Sequence, residues 1–200
     1  GTGRGNIWIG DTGSDRPGDL HVFPAAGGPV CPGALCKNYG WPWQHGAPGT
    51  TSNTFAACGA TSTCPPPQPF NSEAPYFAVA KPAGDNFGGG NGVLIGGVLY
   101  RGDALAGSPY NLGGRYFFPL WGDNNVHLMS LDPTQTTAAG IIASLMNHRN
   151  DLKMGTGSTL FNNQELHGIG VDAKGELLVL RVSLGLPSTS NGTVFRIVPQ

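Results

Sequence analysis

The chain has 200 residues, of which 39% are hydrophobic and only 12% are charged, and its formal net charge is −1. This length normally makes one domain or two small ones, and the apolar share is enough for a hydrophobic core. The sequence contains no Lys/Arg cluster of the kind that binds nucleic acid, and no apolar run approaches the roughly 20 residues needed to cross a bilayer.

Glycine and proline together make up a quarter of the chain. Between them lie clusters of β-branched and aromatic residues, which disordered chains lack. This pattern is typical of many short strands joined by tight turns. We therefore predict an all-β fold in one domain spanning residues 1–200.

Eight segments have the composition of strands. In chain order they are Asn6–Ile9, Leu20–Phe23, Val93–Tyr100, Arg115–Leu120, Val126–Leu131, Leu166–Val171, Glu176–Val182 and Thr193–Val198. The turn sequence Asp172–Gly175 predicts a hairpin. For Ile141–Asn147, a strand is favoured over one helical turn, because Gly140 precedes the segment and no cap is evident.

Two long segments, 24–38 and 45–90, interrupt this pattern and hold all four cysteines. The cysteines are Cys31, Cys36, Cys58 and Cys64. Their intervals are longer than those of a typical zinc site, so disulfides are favoured over metal binding. The simplest of three connectivities joins Cys31 to Cys36 and Cys58 to Cys64.

Two further features bear on the compartment. Asn191 opens an Asn-Gly-Thr glycosylation triplet, which together with disulfides favours a secreted or cell-surface protein. Gly1 is not an initiator residue, so we expect the chain to begin downstream of something removed or not included.

The strand spacing in the second half suggests propeller blades or a sandwich. Roughly nine or ten strands would make about two and a half four-stranded blades, fewer than the roughly four blades a closed propeller needs. A propeller therefore requires that further sheets exist elsewhere.

Six motifs, in order and over nearly the whole chain, resemble one family. They are Ile7–Gly13, Asn38–Pro42, Gly96–Gly102, Leu112–Phe118 with Trp121–Asp123, Asp172–Leu177 and Thr193–Ile197. They are similar to motifs of the glucose/sorbosone dehydrogenases, soluble quinone-dependent sugar dehydrogenases that include the hedgehog-interacting-protein-like branch.

This resemblance implies a six-bladed β-propeller, of which the chain would form about the last three blades with long disulfide-bearing loops. The histidine that acts as base on the sugar hydroxyl in the family would lie before Gly1. The cysteine-bearing insert resembles the hedgehog-interacting-protein-like branch, which supports pairing Cys58 with Cys64.

The family's chemistry uses pyrroloquinoline quinone, whose carboxylates call for basic side chains. In enzymatic relatives such arginines precede the Asp-x-x-Gly hairpin, whereas this chain has Gln164–Gly170 there, with no arginine and with an acidic Glu165. This departure argues against quinone binding. His167 is the residue of this stretch that could act as a base or ligand, and the alternative is a polar residue at a strand start.

A calcium site is a second candidate. Asp11, Asp15 and Asp19 are hard oxygen ligands in a turn. The resemblance implies calcium held by Asp19 and by the backbone carbonyl of Tyr39. The alternative is that these aspartates cap backbone N–H groups in tight turns.

Aromatic and imidazole side chains complete the candidates. Trp41 and Trp43 lie in a loop and are candidates for stacking on a sugar, whereas Trp8 and Trp121 are predicted to lie in the core. The other histidines are dispersed without metal-ligand spacing and are read as ordinary surface or satisfied residues. They are His21, His45, His127 and His148.

These observations leave three functional hypotheses. The favoured one is a non-catalytic extracellular propeller for binding or assembly. Its partners would be an N-terminal propeller half or another chain, and carbohydrate or extracellular proteins. The first alternative is part of a quinone-dependent sugar dehydrogenase, and the second is a carbohydrate-binding module.

Overall fold

The computed structural model describes part of the chain. The described residues are 7–11, 19–23, 77–78, 93–94, 96–122, 125–148, 151, 153–154, 158–159, 164–183 and 192–199. Within them the protein is mostly antiparallel β-sheet, which confirms the all-β prediction. The loops with all four cysteines, apart from one short strand at 77–78, lie outside the described residues, so the disulfides remain a prediction.

Thirteen strands and one helix are found in the described part of the chain. They are β1 (Ile7–Asp11), β2 (Asp19–Phe23), β3 (Phe77–Ala78), β4 (Val93–Leu94), β5 (Val98–Leu99), β6 (Tyr116–Gly122), β7 (Asn125–Leu131), α1 (Ala138–Ser144), β8 (Met146–Asn147), β9 (Lys153–Met154), β10 (Ser158–Thr159), β11 (Gln164–Val171), β12 (Leu177–Ser183) and β13 (Gly192–Arg196).

Three larger sheets follow one another along the chain, and in each the strands pair as antiparallel neighbours. The first sheet is β1–β2–β3, and the last sheet is β11–β12–β13. The middle sheet joins β6, β7 and β8, with β4 and β5 both paired to the other edge of β6. The remaining pair, β9 and β10, forms a small separate hairpin.

The middle sheet lies between the other two. Alternate residues of β6 point to opposite faces, so each face of this sheet packs against a different neighbour. Tyr116 and Phe118 belong to a core shared with Leu20 of the first sheet. Phe117 belongs to a second core shared with Val179 of the last sheet. Each core therefore joins one pair of neighbouring sheets.

The structure confirms that Trp8 packs against the core, as predicted. Its ring stacks on that of Tyr116, with ring centroids 4.3 Å apart, and it packs against the core between the first and middle sheets. The side chain of Trp121 is not among those described.

The gap between β4 and β5 has a local cause. The register runs from Leu94 opposite Leu120 to Val98 opposite Phe117, so this side advances by four residues while β6 advances by three. One extra residue of this kind is a β-bulge, and proline has no N–H with which to donate to a ladder. Gly96 and Gly97, which precede β5, lie at that bulge.

The segment Ile141–Asn147 corrects a prediction. Its first part belongs to helix α1, and only Met146–Asn147 is a strand, paired with β7. The cap that seemed absent is Thr137, whose side chain accepts a hydrogen bond from the N–H of Gly140 at 3.1 Å. This bond satisfies one of the free donors of the first turn, and Ile141 is buried in the first core.

The hairpin between β11 and β12 confirms its prediction. The N–H of Gly175 donates to the carbonyl of Asp172 at 2.9 Å, and Gly175 has a φ of 81°. A type I turn followed by a residue in the left-handed region makes a three-residue hairpin loop, and glycine adopts that region without steric cost.

Candidate functional site

The first polar cluster lies where the hairpin meets the loop after β5. We call it the Glu176 junction, formed by Glu176, Tyr100, Asp103 and Ala104. One carboxylate oxygen of Glu176 accepts from the hydroxyl of Tyr100 at 2.7 Å, and the other accepts from the N–H groups of Asp103 and Ala104, each at 3.0 Å. This single buried carboxylate therefore holds a whole turn of the neighbouring loop.

Glycines make this approach possible. A Cβ on Gly102 would stand 2.5 Å from the carboxyl carbon of Glu176. A Cβ on Gly175 would stand 3.0 Å from the backbone of Arg101 and Gly102. The motifs Tyr-Arg-Gly and Asp-x-x-Gly-Glu are thus two halves of one packing contact.

The hydrogen bonds set the charge state of the junction. The N–H of Ala104 and the hydroxyl of Tyr100 lower the pKa of Glu176, against the opposing effect of burial. Burial, more than the neighbouring Glu176, raises the pKa of Tyr100. The junction therefore pairs an ionised carboxylate with a neutral phenol. These protonation states suit a structural hydrogen bond rather than proton transfer.

Replacing Tyr100 with phenylalanine tests this role. We expect the melting temperature to fall by roughly 5 °C, because Glu176 loses one charge-assisted hydrogen bond and the N–H of Leu105 loses its acceptor, the Tyr100 oxygen at 2.8 Å. Differential scanning calorimetry at neutral pH measures the effect. A melting temperature unchanged from that of the wild type would contradict the junction's structural role.

The second polar cluster is a buried chain of hydrogen bonds through the middle sheet. The Nε–H of Arg115 donates to Oγ of Ser130 at 2.8 Å, and this Oγ lies 2.8 Å from Nε2 of His148. Nδ1 of His148 lies 3.3 Å from a carboxylate oxygen of Asp151. A carboxylate only accepts, so Nδ1–H of His148 donates to Asp151, and Nε2 of the neutral ring then accepts from the hydroxyl of Ser130.

Ser130, His148 and Asp151 have the connectivity of a nucleophile, base and orienting acid. Their surroundings exclude that chemistry. Ser130 is 0% exposed, and its oxygen already accepts a hydrogen bond from Arg115. The ring of His148 stacks on Phe117 in the second core, with centroids 5.3 Å apart. This series of hydrogen bonds therefore has a structural role.

Burial lowers the pKa of His148, although the neighbouring Asp151 opposes this shift. The pKa of His148 is lower in the folded protein than the unfolded value of about 6.5, so above that pH the stability is fully present. As the pH falls, the unfolded state takes up the proton more readily than the folded state, and the stability is lost. We expect unfolding free energy measured in urea to decline from about pH 7.5 to about pH 5.

The variant His148→Gln isolates this contribution, because the other buried histidines, His21 and His127, remain in both proteins. Over the same pH range the variant should lose less stability than the wild type. Parallel pH profiles for the two proteins would show that His148 does not carry the effect.

The described part of the chain includes few of the site residues predicted from the sequence. His167 is exposed and stands at the register shift between Leu166 and Gly168 of β11. His21, His127 and His148 are buried rather than at the surface, and His148 is satisfied as described above. Asp11 and Asp19 face each other in the backbone register of β1 and β2, and their side chains are not described.

The remaining candidates fall outside the described residues. They are Asp15, Tyr39, Trp41, Trp43, His45, Asn191 and the four cysteines. The calcium, sugar-stacking, glycosylation and disulfide sites therefore stay predictions. Within the described ranges no group of three or more His, Cys, Asp or Glu side chains is placed to hold a metal ion.

Comparison with known proteins adds no assignment: neither a protein-family model, nor a curated protein, nor a solved structure matches this chain. Among the helices described, none is long and apolar enough to span a membrane.

Sequence reasoning missed both polar clusters. The sequence identifies Glu176 only as part of a hairpin motif, although an acidic residue directly after a turn glycine in a charge-poor chain is a usable signal. The chain of Arg115, Ser130 and His148 carried no such signal, because the three residues meet only through strand pairing.

Proposed function

We propose that this chain is part of an extracellular β-propeller of the glucose/sorbosone dehydrogenase type, and that it serves binding or assembly rather than catalysis. The fold supports this proposal at the level of sheet connectivity. Successive antiparallel sheets, each built from strands in chain order and packed face to face, are the connectivity that propeller blades have.

The observation that carries the assembly role is the outer face of the last sheet. Leu180 of β12 pairs with Val194 of β13, and the two side chains are 38% and 62% exposed. Leu178 and Val182 share this face by alternation, and glycines 168, 170 and 192 lie opposite them in the neighbouring strands. A further sheet, from the rest of the protein or from another chain, would bury this apolar surface.

The chemistry of the described residues supports a non-catalytic role. Glu176, Ser130 and His148 are buried in structural hydrogen bonds, and the stretch before the hairpin offers no arginine to a quinone carboxylate. His167 is exposed, but the acidic Glu165, two positions before it in the sequence, would repel such a cofactor. A quinone dehydrogenase would need its binding groups elsewhere.

An assay of the full-length protein tests this proposal. The protein is mixed with pyrroloquinoline quinone and calcium, and the quinone absorbance and glucose-dependent reduction of a dye are recorded. We expect neither a saturable absorbance change at micromolar quinone nor dye reduction above a protein-free control. Sugar-dependent dye reduction above the protein-free control would overturn the proposal and establish the dehydrogenase, and its loss in His167→Ala would assign His167 a part in it.

A further inference from the structure

The loop after β5 presents two opposite charges that the fold does not use. Arg101 and Asp103 are both exposed and flank the buried Gly102, so the loop displays the sequence Arg-Gly-Asp. Within the described part of the chain, neither side chain forms a hydrogen bond or an ion pair. The two charges are therefore available to a partner.

The backbone that carries them is held in place. The carboxylate of Glu176 accepts from the N–H groups of Asp103 and Ala104, and the hydroxyl of Tyr100 accepts from the N–H of Leu105. The carbonyl of Asp103 accepts from the N–H of Ala106 at 3.2 Å. A loop ordered before binding loses little conformational entropy when a partner engages it, which favours affinity.

The surroundings give a partner room to approach. The exposed residues that follow are small: Ala104, Ala106, Gly107 and Ser108. The larger Leu105 is turned into the second core. No bulky side chain of residues 104–108 therefore stands beside the two charges.

We propose that Arg101–Asp103 is a docking loop for a protein receptor with two complementary groups. An acidic side chain of the receptor would take the guanidinium in a bidentate pair, the geometry that arginine favours. A divalent cation bound by the receptor, with an open coordination position, would take the carboxylate of Asp103, a hard oxygen ligand. This inference rests on the proposed extracellular binding role.

The test uses the full-length protein on a biosensor surface. The probe is a purified receptor ectodomain chosen because it binds a linear Gly-Arg-Gly-Asp-Ser peptide in the presence of Mn²⁺. We expect saturable binding that is removed by EDTA and by excess peptide. Asp103→Glu, which keeps the charge but lengthens the side chain, should weaken binding by at least about tenfold, as should Arg101→Lys.

Lys174→Met is the matched control, because Lys174 is an exposed cation on the neighbouring hairpin and outside the loop. Its binding should equal that of the wild type, and all three variants should keep the wild-type melting temperature. Absence of binding at micromolar receptor, binding that survives EDTA, or full binding by Asp103→Glu would overturn the inference. The dye-reduction assay does not depend on this loop. It therefore tests the proposed non-catalytic function separately from the docking role of Arg101–Asp103.

Discussion

Replacing Gly97 with alanine is expected to lower the free energy of unfolding by about 3 kcal/mol. The new Cβ would overlap the carbonyl oxygen of Phe117 and would stand 2.9 Å from Cβ of Phe118. The first contact is with backbone inside the middle sheet, so it cannot be relieved by a side-chain rotation. The shift would also disturb the hydrogen bond from the N–H of Gly97 to the hydroxyl of Tyr116, now 2.9 Å.

The adjacent Gly96 is a matched control for this variant. It is exposed, and a Cβ there would meet nothing within 4 Å. Gly96→Ala should therefore change the free energy of unfolding by less than about 0.5 kcal/mol. Urea unfolding of both variants measures the contrast. Equal stability of the two proteins would mean that the bulge does not bring Gly97 against β6 as described.

Replacing Arg115 with methionine is expected to destabilise the protein by about 2–4 kcal/mol. The guanidinium donates to Oγ and to the carbonyl of Ser130, and also to the carbonyl of Ser144 at the end of α1. Methionine keeps much of the apolar stem but removes every donor. Part-buried acceptors on β7 and at the end of α1 would then lose the bonds from Arg115.

Burial lowers the pKa of Arg115, against the raising effect of Asp132, yet an arginine with this shift stays charged at neutral pH. The loss therefore includes a charged hydrogen-bond donor, and it should exceed the loss from a surface arginine. Arg101→Met is the control, because Arg101 is exposed and takes no part in the described hydrogen bonds. Urea unfolding that gives the same stability for both variants would contradict the role assigned to Arg115.

The strands of the middle and last sheets were predictable because their signals are local. The alternating apolar residues of β7 indicate a strand, and the turn Asp172–Gly175 indicates a hairpin, each within a few consecutive residues. Helix α1 was missed for the opposite reason. Its seven residues include Gly140, a weak helix former, and its stability comes from burying Ile141 against a distant sheet.

The polar clusters could not be predicted, because their members are far apart in sequence. Tyr100 and Glu176 are 76 residues apart, and they meet only when the last sheet packs on the middle one. The burial of Ser130 likewise depends on packing that composition does not reveal. For the calcium, disulfide and glycosylation sites, the sequence remains the source of the prediction.

The alternation along β6 has a consequence for strand alignment. Tyr116 and Phe118 enter one core, whereas Phe117 between them enters the other. If β6 slipped by a single residue against β7, the aromatic rings would exchange sides, and each core would receive side chains shaped for its neighbour. Misalignment would thus be penalised on both faces at once. A mispaired intermediate would have little to stabilise it, so the middle sheet has one favourable alignment.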